Sequence, residues 1–214
     1  MNQKYPDNDT ARNLLTDYGR RVYNKGFVAA NDGNISLRVS ANMVWITPSG
    51  VSKGYMDPDM MIKLDLNGKI LHGGLKPSTE TCMHLNIYRA NREIGAIVHA
   101  HPPAATAFAV SGMTPDFRIL PEAIVNLGEI PLAPYLMPSS DELAELAAKY
   151  SRDYNCVLLS NHGAITWGEN IETAYFRMET LEYLANLCIT TGRLGKAIRL
   201  NDEQITALMD KKNR

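Results

Sequence analysis

The chain has 214 residues, 45% of them hydrophobic, which is enough to bury the core of one enzyme-sized α/β domain over residues 1–214. Its formal net charge of −1 at pH 7 excludes a broad electrostatic attraction to nucleic acid or to acidic membranes. Three features predict a cytoplasmic protein. They are the three cysteines without a CxxC pair, a polar start without the apolar core of a signal peptide, and the lack of an apolar run long enough to span a membrane.

The first half of the chain predicts one helix followed by short strands. Thr10 is the expected N-cap of the helix, and Gly26 is its expected stop. Alternating apolar and polar residues predict strands, the first of them half-buried, over 35–39, 44–47, 62–66 and 69–71. The Asn67-Gly68 pair is a strong hairpin turn before the last of these strands.

The second half predicts longer helices between strands. Helical spacing favours helices over 78–92, 102–110, 139–150 and 172–190, and a short charged helix from 202. Apolar runs favour strands over 95–101, 156–160 and 164–167, with at best an edge strand over the proline-interrupted 130–135. Ser78 or Thr79 is the expected cap before Glu80, which would then lie in the first helical turn. Ser139 and Glu142 form a capping box, and residues 111–129 are expected to be irregular or partly helical.

Three of the five histidines are candidate metal ligands. Side chains alternate along a strand, so a buried strand over 95–101 projects His99 and His101 to the same side. Catalytic zinc typically has three protein ligands and one open position, and this pair supplies two of them. His162, in a turn-like Asn-His-Gly between two apolar runs, is the candidate third ligand, and Glu80 is the candidate carboxylate.

Three small polar turns are candidate phosphate-binding loops. Backbone N–H groups and hydroxyls at close range, together with the positive end of a helix, favour phosphate. The turns are Gly33-Asn34, Ser49-Gly50 and Ser78-Thr79. The last of them directly precedes Glu80, which would place a phosphate-binding element beside the metal.

Five short blocks occur in an order that resembles a known family. They are Gly33-Asn-Ile-Ser36, Ile46-Thr-Pro-Ser-Gly50, Lys76-Pro-Ser-Thr-Glu80, His99-Ala-His101 and Asn161-His-Gly163. No single block is specific, but together they resemble the class II aldolase/adducin-type family over roughly residues 10–190. That family includes L-fuculose-1-phosphate aldolase, which the chain resembles most, and L-ribulose-5-phosphate 4-epimerase.

The resemblance implies an α/β fold of three layers, α/β/α, around a mostly antiparallel central sheet. It also implies a homotetramer with fourfold symmetry and active sites at subunit interfaces. One Zn²⁺ per subunit would be bound by His99, His101 and His162, with Glu80 as the acid/base that also ligates the resting metal. The implied phosphate-binding residues are Asn34, Ser49, Gly50, Ser78 and Thr79.

The implied reaction is the reversible cleavage of a ketose 1-phosphate, similar to fuculose 1-phosphate, into dihydroxyacetone phosphate and an aldehyde. The broken bond leaves a carbanion that needs a neighbouring carbonyl, and zinc stabilises the resulting enediolate as a Lewis acid. Glu80 then moves the proton on the nucleophilic carbon. Epimerase members carry Asp at the position of Glu80, which favours the aldolase.

Other functions stay open from the sequence. A sugar-phosphate 4-epimerase and a methylthioribulose-phosphate dehydratase or aldolase belong to the same family. Its dehydratase and decarboxylase members also use a zinc–histidine site with a Glu. A non-catalytic, adducin-like interaction module is disfavoured, because such modules have lost the histidines that this chain retains.

One departure from the family pattern concerns the partner acid. Fuculose-phosphate aldolases use tyrosines after the helix that follows the histidine pair and in the C-terminal tail. This chain has no tyrosine between Tyr88 and Tyr135 and none after Tyr183, so the partner acid and the aldehyde are unassigned. Glu122 of a neighbouring subunit is a candidate substitute. His84 is interpreted as an ordinary helix residue or a partner of a metal ligand.

Overall fold

One eight-stranded sheet forms the centre of the computed structural model, which describes residues 5–212. The strands in chain order are β1 (Asn34–Ser40), β2 (Met43–Ile46), β3 (Ile62–Asp65), β4 (Ile70–His72), β5 (Ala96–Ala100), β6 (Leu132–Ala133), β7 (Cys156–Leu159) and β8 (Gly163–Gly168). Their spatial order is β4-β3-β2-β1-β5-β8-β7-β6. All neighbours are antiparallel except β6 and β7, which are parallel.

Helices cover both faces of the sheet. Within residues 5–212 they are α1 (Asn8–Asn24), α2 (Thr81–Ala90), α3 (Pro103–Val110), α4 (Pro121–Asn126), α5 (Asp141–Tyr150), α6 (Ile171–Arg193) and α7 (Asp202–Lys212). One face packs against α1, α3, α4 and α6, and the other against α2 and α5. None of these described helices is long and apolar enough to cross a membrane.

The central strand β5 shows how the two apolar layers arise. Its residues Ala96, Val98 and Ala100 pack into the layer with α1, α3 and α6, whereas Ile97 packs into the layer with α2 and α5. Successive side chains of a strand point to opposite faces, so one apolar run serves both layers. The predicted three-layer α/β/α fold around a mostly antiparallel sheet is confirmed.

The predicted elements are confirmed in type and order. The proline-interrupted 130–135 contributes only the two-residue edge strand β6, as proline cannot donate to a ladder. The unassigned 111–129 contains a 3-10 turn (Phe117–Ile119) and the short helix α4.

The predicted caps of α1 and α5 are wrong by a few residues. Asp7 caps α1, because its carboxylate accepts hydrogen bonds from the backbone N–H and the hydroxyl of Thr10. Ser140 caps α5 through the N–H of Leu143, while Ser139 has a left-handed backbone with φ of 66°. In both cases the sequence offered two capping residues close together, and the pattern did not rank them.

The predicted start of α2 is also wrong, and here the difference affects a candidate site residue. Glu80 occupies the N-cap position itself instead of the first helical turn. Its backbone N–H donates to the hydroxyl of Ser78 at 3.3 Å. The Glu80 side chain is therefore free to turn away from the helix.

The prediction that β1 is half-buried is wrong as well. Its alternating polar residues Asn34, Ser36 and Arg38 are 3%, 0% and 2% exposed. Helix α2 covers them, and each makes hydrogen bonds that offset its burial. A polar face of this strand is thus an internal face.

The corrected cap of α5 can be tested by stability. We expect Ser140→Ala to lower the free energy of unfolding by about 1 kcal/mol, because the Leu143 N–H loses its partner. Ser139→Ala is the matched control and should cost less than half as much. Urea denaturation followed by circular dichroism measures both. A larger loss for Ser139→Ala would contradict this assignment.

Candidate metal centre

Three imidazoles converge at the end of β5. His99 lies in β5, His101 follows it directly, and His162 lies in the turn between β7 and β8. One ring nitrogen from each lies within 4.8 Å of the others, a set that could hold a metal ion. The Nε2 atoms of His99 and His101 are 3.2 Å apart. The structure therefore brings together all three histidines that the sequence selected.

The local backbone explains this convergence. His99 is fully buried between β1 and β8, where it pairs with Asn34 and Ile165. Asn161 adopts a left-handed backbone with φ of 55°, which turns the chain before His162. Gly163 leaves room for the neighbouring ring, since a Cβ there would lie 2.4 Å from Cδ2 of His101.

The outer nitrogens of two rings have partners that orient them. Nδ1 of His99 donates to the carbonyl oxygen of Ala164 at 2.9 Å, which leaves Nε2 available to a ligand. Nδ1 of His101 lies 3.6 Å from Oδ2 of Asp32. Both rings therefore present Nε2 toward the centre of the cluster.

The carboxylate of Glu80 closes the cluster from the side of α2. Its Oε2 lies 3.0 Å from Nε2 of His99, and its Oε1 lies 3.4 Å from Nε2 of His162. Oε1 of Glu80 is buried and has no hydrogen-bond partner among the described residues. An unpartnered buried carboxylate oxygen facing imidazole nitrogens fits a metal cation, which accepts both kinds of donor.

Burial and charge set the protonation of the cluster. Burial lowers the pKa of His101 and of His162 to about 4, so both rings are neutral at pH 7 and offer lone pairs. Burial also works against a proton on His99, but the Glu80 carboxylate outweighs it and raises the pKa of His99. Burial favours the protonated form of Glu80, but the charge and hydrogen bond of His99 outweigh it and lower the pKa of Glu80. In the metal-free cluster Glu80 thus favours the protonated form of His99, and a cation would replace that positive charge.

A buried chain of hydrogen bonds leads away from Glu80; we call Asn34, His84, Ser36 and Tyr88 the relay. Nδ2 of Asn34 donates to Oε2 of Glu80 at 2.9 Å. Oδ1 of the same amide therefore accepts from Nε2 of His84 at 2.6 Å. With its proton on Nε2, His84 accepts at Nδ1 from the Ser36 hydroxyl at 2.7 Å.

The relay ends at Tyr88, and its direction is fixed throughout. Because the Ser36 hydroxyl donates to His84, its oxygen accepts from the Tyr88 hydroxyl at 2.9 Å. Burial lowers the pKa of His84 to about 3, which keeps its ring neutral with a single proton. Every donor of the relay therefore points toward Glu80 and stabilises the negative charge of its carboxylate.

The three candidate phosphate loops meet beside this carboxylate. We call residues 31–34, 48–51 and 76–79 the first, second and third loops. The second and third are joined by a bridge between Pro48 and Pro77, and the Ser49 N–H donates to the Lys76 carbonyl at 2.9 Å. Asn34 joins the first loop to Glu80, which follows the third.

The five candidate phosphate residues differ in exposure. Ser49, Gly50 and Thr79 are exposed, whereas Asn34 and Ser78 are buried. The exposed residues are available to a ligand, and the buried pair contacts Glu80 through the Asn34 amide and the Ser78 hydroxyl. Asn34 therefore contacts the acid/base candidate in addition to any role in binding phosphate.

Sequence reasoning missed the relay and Asp32. The available signal for the relay was His84, four residues after Glu80 and so on the same helical face. Ser36 and Tyr88 gave no signal, because their pairing depends on how α2 lies across β1. Glu122 lies in α4 and lines a cavity of about 570 Å³ with Lys25 and other residues. No recorded contact among residues 5–212 joins Glu122 to the histidines.

Comparisons with known proteins agree with this architecture. Residues 13–189 match the family model for the class II aldolase and adducin N-terminal domain. A 3-oxo-tetronate 4-phosphate decarboxylase from Haemophilus influenzae is 33% identical over 92% of this chain and 95% of its own length. An L-fuculose phosphate aldolase from Methanococcus maripaludis is 37% identical over 78% of this chain and 90% of its own length. The crystal structure of YgbL from Escherichia coli superposes with a TM-score of 0.89 at 29% identity, covering 94% of this chain and 99% of YgbL.

The neutral state of His84 predicts a pH dependence of stability. At pH 5 the unfolded chain protonates this imidazole, whereas the folded chain, with its pKa at about 3, does not. Stability therefore falls as pH drops below about 6.5, and His84 contributes a loss of about 2 kcal/mol between pH 7 and pH 5. We expect the free energy of unfolding of His84→Gln to fall by about 2 kcal/mol less between pH 7 and pH 5 than that of the native, metal-free chain.

Urea denaturation at pH 7 and pH 5 measures this difference. His72→Gln is the control, because it removes an exposed imidazole of β4 that takes no part in the relay. Equal losses in the native chain and in His84→Gln would show that His84 is not held neutral by the fold.

Proposed function

The chain belongs to the class II aldolase and adducin family, and on that premise we propose that it is a zinc-dependent carbon–carbon lyase acting on a phosphorylated sugar. The proposed reaction is cleavage of a ketose 1-phosphate, similar to fuculose 1-phosphate, into dihydroxyacetone phosphate and an aldehyde. The observation that carries the proposal is a buried carboxylate, Glu80, that contacts two of three converging histidines beside three polar loops.

The proposed zinc ligands are His99, His101 and His162, together with Glu80. Imidazole nitrogens and a carboxylate oxygen are donors that zinc accepts, and the unpartnered Oε1 of Glu80 supports this set. When bound, zinc supplies Lewis-acid stabilisation of the negative charge that develops on substrate oxygen atoms.

Glu80 is the proposed acid/base. When the substrate bond breaks, its electron pair stays on the carbon next to the ketone and forms an enediolate. As the aldehyde forms, its hydroxyl proton passes to the partner group, for which Glu122 of a neighbouring subunit is the candidate. Glu80, protonated before the bond breaks, donates its proton to the carbon next to the ketone, which completes dihydroxyacetone phosphate. The Asn34 amide, 2.9 Å from Oε2, fixes the side chain for this transfer and is itself held by His84.

The phosphate of the substrate is assigned to the three loops. The proposed binding residues are Asn34, Ser49, Gly50, Ser78 and Thr79. Ser49, Gly50 and Thr79 are exposed, and Ser78 and Thr79 directly precede α2 and Glu80. A phosphate held here would keep the reacting carbon at a fixed distance from the acid/base.

A second candidate is the decarboxylation of a 3-oxo-tetronate 4-phosphate, which the Haemophilus influenzae relative favours. Loss of carbon dioxide from such a substrate leaves the electron pair on the carbon next to the ketone. Protonation of that carbon again gives dihydroxyacetone phosphate. This reaction removes no hydroxyl proton, so it does not need the partner tyrosines of the fuculose-phosphate aldolases. The chain has no tyrosine between Tyr88 and Tyr135 or after Tyr183, which is compatible with such a reaction. The two candidates share the protonation of that carbon, and they differ in the leaving group and in the removal of a hydroxyl proton.

The proposal also covers the setting of the enzyme. We propose a homotetramer with active sites at subunit interfaces, as the family resemblance implies, with Glu122 as a candidate partner acid from a neighbour. A cytoplasmic location is supported by the three cysteines, all of which are free.

The role of Glu80 predicts a clear effect of its amide variant. We expect Glu80→Gln to lower turnover by about a hundredfold or more, because the amide cannot transfer the proton. Glu145→Gln, on the exposed face of α5, is the matched control and should leave turnover unchanged. Turnover is measured with the zinc content of each variant determined in parallel. Native turnover in zinc-containing Glu80→Gln would contradict the role.

The leaving group is tested with two substrates. Zinc-loaded protein should release dihydroxyacetone phosphate from a ketose 1-phosphate such as fuculose 1-phosphate, and a chelator should abolish the release. Release from 3-oxo-tetronate 4-phosphate, accompanied by carbon dioxide, would select the decarboxylase instead. A coupled assay for dihydroxyacetone phosphate follows both. No product from either substrate with stoichiometric zinc would contradict the proposed lyase.

A further inference from the structure

Lys53 is a buried cation that the proposed reaction does not use. It begins the 3-10 turn Lys53–Tyr55 just after the second loop and is 1% exposed. Burial lowers its pKa to about 8, so the ammonium group is still largely protonated at pH 7. Lysines are almost never buried this completely unless their charge has a partner.

The partners of the Lys53 ammonium are uncharged. Nζ donates to the carbonyl oxygen of Val51 at 2.8 Å and to that of Asn31 at 3.2 Å. The Lys53 ammonium forms no ion pair with a carboxylate of residues 5–212. Asp32 acts on this charge from a greater distance, and its own carboxylate lies 3.6 Å from His101. The positive charge is thus solvated by two carbonyls and has no paired anion.

The two carbonyls belong to different candidate phosphate loops. Asn31 lies in the first loop and Val51 in the second, so Lys53 joins these two loops. The second loop is joined to the third by the Pro48–Pro77 bridge, and the first contacts Glu80 through Asn34. Lys53 therefore joins two loops, of which one is fixed to the third loop and the other to Glu80.

We propose that Lys53 is a positioning residue for the phosphate group of the substrate. It holds the first and second loops in register and places a buried positive charge beneath the surface that they present. The inference rests on the proposed function, because it assigns a source of binding energy to the same phosphate site.

For phosphate binding, we expect the charge of Lys53 to matter more than its hydrogen bonds to the two loops. A buried charge acts through a medium of low effective dielectric and is screened little by salt, so it attracts a dianion strongly from beneath a loop. The bound phosphate in turn supplies the counter-charge that the buried ammonium lacks. A lysine with a purely structural role would need its hydrogen bonds but not its charge.

The test is a calorimetric titration of inorganic phosphate into the full chain, freed of metal so that the anion cannot bind zinc. We expect Lys53→Met to weaken phosphate binding about tenfold or more. Lys53→Gln keeps a donor for the two carbonyls but lacks the charge, and we expect a similar loss. Lys69→Met, in the exposed turn between β3 and β4, is the control for general charge and should bind as the native chain does.

Zinc affinity, measured by competition with a chelator, separates positioning from misfolding. We expect native zinc affinity in both Lys53 variants, because the histidines keep their places. Native phosphate affinity in Lys53→Gln would show that only the hydrogen bonds to the two carbonyls matter, and it would overturn the inference. A joint loss of phosphate and zinc binding in both variants would overturn it too, since Lys53 would then support the fold at large. If the native chain does not bind phosphate, the phosphate site of the proposed function fails, and this inference fails with it.

Discussion

A buried carboxylate is stable only when hydrogen-bond donors reach it, and this fold brings donors to one oxygen of Glu80 from two strands. His99 of β5 and His162 of the β7–β8 turn lie on one side, and the Asn34 amide of β1 lies on the other. Asn34 can point its amide nitrogen at Glu80 because His84 donates to the amide oxygen. The need for donors to Glu80 therefore explains why the polar residues of the relay are buried between β1 and α2.

That requirement also explains why β1 is not an ordinary amphipathic strand. Its inner polar residues bond to α2, and Arg38 continues the pattern by donating to the carbonyl of Tyr88 while its guanidinium lies 4.7 Å from the Tyr88 ring centre. These contacts fix α2 against the sheet, and Glu80 lies at the N-cap of α2. The position of Glu80 thus depends on contacts along the whole length of α2.

The sequence was sufficient for the type and order of the elements and for the convergence of the three histidines. Period-two alternation placed His99 and His101 on one side of a buried strand, and the Asn-His-Gly turn singled out His162. It was not sufficient where two interpretations had the same local pattern. The polar alternation of 35–39 is the same for a half-exposed strand and for one covered by a polar helix face, and only the position of α2 decides between them. Likewise, the charge state of Lys53 and the relay through Ser36 depend on residues far apart in sequence.

Aldehyde release and decarboxylation converge on one chemical demand, which is to hold and protonate the enediolate of dihydroxyacetone phosphate. The arrangement fits that proposed demand, since Glu80, its donors and the loops lie together, whereas no described contact to the cluster comes from Glu122. This shared half of the reaction is open to direct measurement. Zinc-loaded protein incubated with dihydroxyacetone phosphate alone in D₂O should exchange one hydrogen of the hydroxymethyl carbon for deuterium, as seen by NMR. No exchange by protein that binds both zinc and phosphate would contradict the account.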